Sequence, residues 1–544
     1  MGDTAPTEVL IVGGGPIGLS LAIELGHRGI RATVVERHDR VGQQPRAKTT
    51  NVRSMEHMRR WGLAEAIRRA APLPADYPTD IIFATRLFGP ELAHFENAFY
   101  GRRERNDLFS EPAQWIPQYK VEAVLRDHVL TLPTVALHMS TELTDFEQTE
   151  DGVVATVTDL ISGGQRNISA EYMIGADGSR SLVRARLGIR LEGQHGFAQN
   201  CGIVYRAPGL MHRHPHKPGI MYWLVNPDSP GLTGPMDIGD LWFMIMPAPQ
   251  GSGDIGEAEA MTAVRGALGD VPGGNLDIEI LTIDPWSAHS LIADSYGHGR
   301  VFLAGDACHL HPPFGGYGMN LGIGDAVDLG WKLAAVLRGW GGTMLLPSYE
   351  IERRPVHQKV IQEAVANNAM LSQHLVREGM EAAGPDGDIL RSAIGAEIRQ
   401  NKLREFKTLG VVLGIPYTDS PLVASDGTKP PGWHFSDYQP SASPGCLAPH
   451  LWLAAGDSLY DRFGPGFSVL VTGPGAEGDL ERLRSAAAEC GLALKILAPG
   501  DDRLRHLYGA RLVVIRPDQH VAWRGDVLDR SASALLDHIR GGPQ

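Results

Sequence analysis

Residues 9–18 read VLIVGGGPIG. Val9–Val12 is a short apolar run of the kind that fills a buried parallel strand, and residues 17–28 carry apolar side chains at helical spacing. Strand, glycine turn and helix follow in order. Gly13 permits the tight turn, Gly15 lets a pyrophosphate approach the backbone and Gly18 lets the helix pack on the strand, with Pro16 in the same turn. A second strand, Ala32–Val35, then ends in Glu36, followed by Arg37. A carboxylate there accepts hydrogen bonds from ribose hydroxyls and repels a 2′-phosphate, so the expected ligand is FAD or NAD rather than NADP.

The surrounding chain sets the scale. Its 544 residues, 43% hydrophobic, are enough for about three domains. Cys201, Cys308, Cys446 and Cys490 show no CxxC or paired spacing, which argues against a disulfide framework or a structural zinc site. The formal charge of −13 disfavours nucleic acid and anionic membrane as partners. No apolar run approaches membrane-spanning length, and MGDTAPTEV lacks the features of a secretory signal, so the expectation is a soluble, cytoplasmic protein.

Two further segments narrow the ligand. Residues 300–326, RVFLAGDACHLHPPFGGYGMNLGIGDA, place Gly305 and Asp306 after a strand-like run, then Pro313, then Gly316 and Gly318 before a helix beginning near Met319 and Asn320. An acid at a strand end suits a polyol chain such as ribitol, and a glycine turn entering a helix presents free N–H groups. Residues 175–184, GADGSRSLVR, carry an Asp-Gly pair at Asp177.

In this order and context the three segments resemble those of the flavin-dependent aromatic hydroxylases, the single-component group that includes para-hydroxybenzoate and phenol hydroxylases. The resemblance implies FAD as the bound dinucleotide. It places Arg46 near the pyrophosphate, Gln118 toward the flavin and Asp177 near FAD and the nicotinamide nucleotide. It further implies that NADH or NADPH reduces the flavin without a Rossmann domain of its own, that O₂ is the co-substrate, and that a C4a-hydroperoxyflavin hydroxylates an electron-rich ring. No catalytic base and no metal are assigned. His309 and Cys308 read as structural, and Tyr349, Glu352, Arg353 and Pro355 as a helix with scaffold ion pairs.

The expected fold class is α/β with α+β inserts: a Rossmann-like FAD-binding domain, an antiparallel-sheet substrate domain and a thioredoxin-like C-terminal domain. The flavin domain is assigned 1–75, 105–184 and 286–415. The substrate sheet is assigned 76–104 and 185–285, with Met221, Trp223, Phe243 and Phe314 as candidate pocket residues. Residues 348–413 read as helical, broken at 384–387; residues 416–445 read as a linker. Residues 446–544, with RPDQHVAWRG, resemble the thioredoxin-like domain of the phenol hydroxylase branch, without CxxC, which leaves packing or a homodimer contact as its role.

The expected substrate is a small phenolic or other electron-rich aromatic, with a polycyclic aromatic natural product as the alternative. A halogenase would need W-x-W-x-I-P, yet Ala113-Gln114 precede Trp115-Ile116-Pro117. A flavin reductase and a flavin-binding protein without oxygen transfer are the other rivals.

Overall fold

The computed structural model describes residues 7–39, 47–248, 255–274, 276–313, 315–368 and 372–542. Its first layer is a six-stranded sheet in the spatial order Gly297–His298, Val301–Leu303, Tyr172–Gly175, Val9–Val12, Ala32–Val35, Val135–His138, parallel except for the first pair. Val9, Leu10 and Ile11 are fully buried, as central parallel strands covered on both faces must be. The helices Pro16–His27, Gln118–Val129 and Tyr317–Leu337 pack on this layer. A three-stranded antiparallel sheet, Thr141–Gln148, Val153–Asp159 and Gln165–Ala170, adds Leu143, Val153, Ala155 and Val157 to the same core.

The second sheet has eight strands, in the order His309–Leu310, Glu279–Ala293, Leu191–Arg206, Leu241–Pro247, Gly231–Pro235, Met221–Leu224, Ile81–Ala84, Glu91–Phe95. It is antiparallel at every pairing but one. Met221–Leu224 runs parallel to Ile81–Ala84 within this otherwise antiparallel sheet. These strands come from distant parts of the chain, so no hairpin turn dictates their relative direction. Strand Glu279–Ala293 continues through the 285/286 boundary drawn from sequence and pairs through Ile292 with His309. The eight-stranded sheet is therefore joined directly to the segment that follows Gly305.

Strand alternation splits the large sheet cleanly. Ile81, Phe83, Met221, Trp223 and Phe243 share one face with Ile394, Ile398 and Phe406 of the helix Pro385–Phe406. Ile82, Tyr222, Leu224, Trp242 and Met244 share the other with Ala260, Val264 and Ala267 of the helix Glu257–Leu268. Helix Pro385–Phe406 begins where the sequence pattern read as broken: Gly384, at φ +97°, turns the chain and Pro385 enters the first turn.

Residues 416–445 contain no helix or strand, yet they are not loose. Tyr417, Leu422, Ala424 and Ala442 are buried, and the Ala424 and Gly445 amides donate to the Ala522 and Val521 carbonyls. Beyond them lies a four-stranded sheet, Leu494–Leu497, Phe467–Val471, Leu512–Ile515, Val521–Gly525, with helices Glu477–Glu489 and Ala532–Ile539 packed together. All four cysteines are free. Among the described residues no helix is long and apolar enough to cross a membrane.

Two buried clusters stand out among the contacts that join this last domain to the rest of the chain. Trp331 of the Tyr317–Leu337 helix stacks on Trp340, and Phe467 meets both rings edge-on. Beside them Arg516, fully buried, donates to both carboxylate oxygens of Glu352, at 2.5 and 2.8 Å, while Lys332 reaches Glu352 at 2.6 Å. Burial opposes ionisation of Glu352, but Arg516 and Lys332 outweigh it and hold the carboxyl at about 2. Replacing Arg516 by Met should therefore lower the unfolding free energy by about 3–5 kcal/mol, because a buried charge loses its partner. Urea denaturation measures it, and a loss under about 1 kcal/mol would show that this cluster does not seat the domain.

Candidate functional site

The first glycine turn is set by backbone proximity. Gly13 has φ +110°, and a Cβ there would lie 2.3 Å from the Ala176 carbonyl oxygen; a Cβ on Gly18 would lie 2.0 Å from that of Gly13. Turn, helix and Asp-Gly segment can meet only without side chains at these positions. Gly15 differs. It is the N-cap of helix Pro16–His27, no side chain caps the helix, and a Cβ on Gly15 would meet nothing within 4 Å. Pro16 occupies the first turn, where a missing N–H leaves no helical bond unmade. The Glu36 carboxylate accepts from the Gly14 amide at 2.7 Å and the His38 amide at 2.8 Å, beside the exposed Arg37.

The second segment docks on the first through one side chain. Ile17 lies between two glycines: a Cβ on Gly305 (φ +63°) would be 2.8 Å from Ile17 Cγ1, and one on Gly322 2.5 Å from the same atom. Asp306 follows in a single helical turn, exposed between buried neighbours Gly305 and Ala307. Arg184 ties in the third segment, donating to the carbonyls of Ala307 and Ser179 at 2.9 Å each. Asp177 Oδ2 accepts from the Val183 amide; its buried Oδ1 has no hydrogen-bond partner among the described residues, and burial raises its carboxyl.

Helix Tyr317–Leu337 starts from Gly316, at φ +66°, again without a side-chain cap, and a Cβ on Gly318 would meet nothing within 4 Å. Asn320 clamps this start. Its Oδ1 accepts from the Asn51 amide, and its Nδ2 donates to the Thr49 and Gly316 carbonyls. Its side chain is thus committed to scaffold, which leaves only backbone for a ligand. Met319 is buried beside it and Pro313 is exposed, its carbonyl accepting from Gly316 N.

Other expected residues stand differently. The Gln118 amide donates to Glu122 one helical turn on, at 2.7 Å, so it is engaged along its own helix and would have to let go to reach a flavin. Trp223 is 3% exposed, stacked on Phe83 at 5.4 Å under the Lys402 ammonium, and belongs to the aromatic core more than to a pocket wall. Met221 and Phe243 lie on the same face, Phe243 with its ring 6.3 Å from Trp115. Arg46 and Phe314 lie outside the described residues.

The sequence reading gave no role to Asp325, yet it supports the whole segment. Its Oδ2 accepts from the Gly305 amide at 3.1 Å and lies 2.8 Å from His309 Nε2; Arg353 donates to its Oδ1 at 2.8 Å. Burial would raise this carboxyl, but His357, Arg353 and His309 more than offset it and hold it well below the usual range. His309 is fully buried, a prop for the turn.

These residues fit FAD. Two uncapped helix starts, each with an open glycine position, suit a pyrophosphate and the electron-rich edge of a flavin, and the exposed Asp306 and the fixed Glu36 carboxylate suit polyol and ribose hydroxyls.

Comparison with known proteins agrees. A family model described as an FAD binding domain matches residues 6–364, and one described as the C-terminal part of aromatic-ring hydroxylases matches 441–543. The 2,4-dichlorophenol 6-monooxygenase of Cupriavidus pinatubonensis is 30% identical over 98% of this chain and 96% of its own. The rebeccamycin biosynthetic enzyme RebC, solved with reduced flavin, matches with a TM-score of 0.90 at 35% identity, over 99% of this chain and 100% of its own. Aklavinone-11 hydroxylase, solved with FAD and aklavinone, matches with a TM-score of 0.83 at 28% identity, over 99% and 100%.

The two turn glycines should separate folding from binding. Gly15→Ala should leave the stability of the FAD-free protein within about 0.5 kcal/mol and weaken FAD about tenfold or more, since only a ligand meets the added methyl. Gly18→Ala should destabilise the FAD-free protein by about 1–3 kcal/mol through overpacking. Urea denaturation and fluorescence titration with FAD read both, and equal stability losses would contradict this geometry.

Proposed function

This chain belongs to the FAD-dependent aromatic-ring hydroxylases, and from that premise we propose that it places one oxygen atom of O₂ on a phenolic or otherwise electron-rich ring, with NADH or NADPH as reductant. The observation that carries the reading is the continuity of strand Glu279–Ala293, which joins the aromatic-lined sheet to the Gly305 segment. Substrate sheet and flavin segment are thereby held in one register.

FAD, when bound, supplies the redox and oxygen-activating chemistry. The protein's part is placement. The 13–18 turn would hold the pyrophosphate, with Arg37 and, by the family resemblance, Arg46 as its cationic partners, Glu36 would hold the ribose and Asp306 the ribityl chain, with Asp177 nearby. Pro313, Gly316, Gly318, Met319 and Asn320 would line the flavin's pyrimidine edge, where the partial positive charge of the helix start favours negative charge. Met221, Phe243 and Trp115 would form the apolar wall that keeps water out and holds the ring at attack distance. His309 is engaged by Asp325 and holds the turn, so we give it no proton-transfer role.

A second reading, an aromatic natural product larger than a simple phenol, is favoured by the likeness to the enzyme solved with aklavinone. The net charge of −13 argues against a nucleic-acid or anionic-membrane partner, and the C-terminal domain, without CxxC, is left a packing or homodimer role.

The test is to purify the flavoprotein and offer it phenols of increasing ring number with NADH or NADPH. A substrate should accelerate nicotinamide oxidation and yield a product one oxygen heavier by mass spectrometry. Acceleration without any oxygenated product, or none with any ring, would leave a flavin redox protein instead.

A further inference from the structure

Lys48 stands at the junction of the two sheets. It directly precedes strand Thr49–Thr50, which pairs with Gln114–Trp115, and its carbonyl accepts from the Ile116 amide at 2.7 Å. The next residue, Thr49, is bound through its carbonyl by Asn320 at the start of helix Tyr317–Leu337, and its Cβ lies 3.4 Å from the position a Cβ on Gly316 would take. From there the Lys48 side chain reaches the substrate sheet, its Nζ 4.1 Å above the centre of the Phe243 ring.

No carboxylate among the described residues pairs with that ammonium, and burial alone pushes it down to about 8, with no opposing charge to raise it. Lysines elsewhere in the interior are matched: Lys332 sits between Asp328 and Glu352, and Lys402 binds Glu405. A half-buried cation against an aromatic face gains a modest cation–π attraction, which does not replace lost hydration. A chain that needed only packing at this position would be better served by an uncharged side chain.

We propose that Lys48 is the recognition point for the substrate's ring oxygen, holding the aromatic as its phenolate against Phe243. The inference rests on the reading of the chain as an aromatic hydroxylase. The phenol's proton leaves to solvent, and the ammonium supplies the counter-charge that the apolar wall lacks. A phenolate fits better than a ring carboxylate, because a carboxylate brings two charged oxygens against the apolar wall of Phe243 and Trp115 while a phenolate brings one. The ionised ring is also the stronger nucleophile, so the same contact serves both binding and reactivity.

The test reads binding, not turnover, and so separates this inference from the hydroxylase reading itself. The FAD-loaded protein is titrated near neutral pH with 4-nitrophenol, 4-nitroanisole and 4-nitrobenzoate, following the nitrophenolate and flavin difference spectra. Wild type should bind 4-nitrophenol with a gain in the phenolate band and prefer it to both analogues. Lys48→Met should abolish the gain and weaken 4-nitrophenol about tenfold or more, as expected for losing a bond to a charged group. Lys48→Arg should keep the preference. Lys48→Met should also leave the melting midpoint of the FAD-free protein unchanged or higher. No saturable 4-nitrophenol binding by wild type, equal affinity for the anisole or the benzoate, a lowered melting midpoint in Lys48→Met, or a loss confined to FAD uptake would each overturn the assignment.

Discussion

The insertion of Ile17 between Gly305 and Gly322 is the contact on which the rest of the structure depends. It joins the first helix of the chain to a strand end and a helix nearly three hundred residues later. It can form only because three backbones approach within side-chain distance of one another. Gly13 and Gly18 impose the same condition on the turn that precedes it, where any Cβ would strike a carbonyl oxygen. Asp325, buried and held ionised by Arg353 and the histidines, fixes the Gly305 amide from behind. What opens outward from this contact is polar and uncapped, which is the requirement for holding a dinucleotide.

The other two domains are referred to the same frame. The long strand Glu279–Ala293 carries the register of the substrate sheet to His309, three residues from Asp306. The C-terminal domain meets helix Tyr317–Leu337 at its far end, through Trp331 and the Arg516–Glu352 pair. One helix therefore begins at the proposed flavin edge and ends in the core shared with the last domain.

Much of this was legible in the sequence because the motifs encode backbone demands. Gly13, Gly18, Gly305 and Gly316 mark places where a close approach or a positive φ disfavours a side chain, Gly15 and Gly318 leave open space at the two helix starts, and the strand alternation around Met221 and Phe243 puts both on one face. What could not be read was pairing at long range. The parallel match of Met221–Leu224 with Ile81–Ala84 has no local turn to announce it. The commitment of Gln118 to Glu122 and of Asn320 to Thr49 and Gly316 depends on rotamers, which residue type does not determine. Trp223 matched the pocket pattern but sits over Phe83, since core and pocket wall share the same period. Asp325 was passed over because an acid inside a glycine-rich helix reads as a solvated face until Arg353, His309 and His357 close on it.

Segments 13–18 and 315–320 are placed to close on one FAD. Amide hydrogen exchange of the protein with and without FAD tests this placement most directly. One FAD per chain should slow exchange in both segments together, including the amides of Gly15 and Gly318, while the sheet of the C-terminal domain stays unchanged. Protection of one segment without the other would contradict the account.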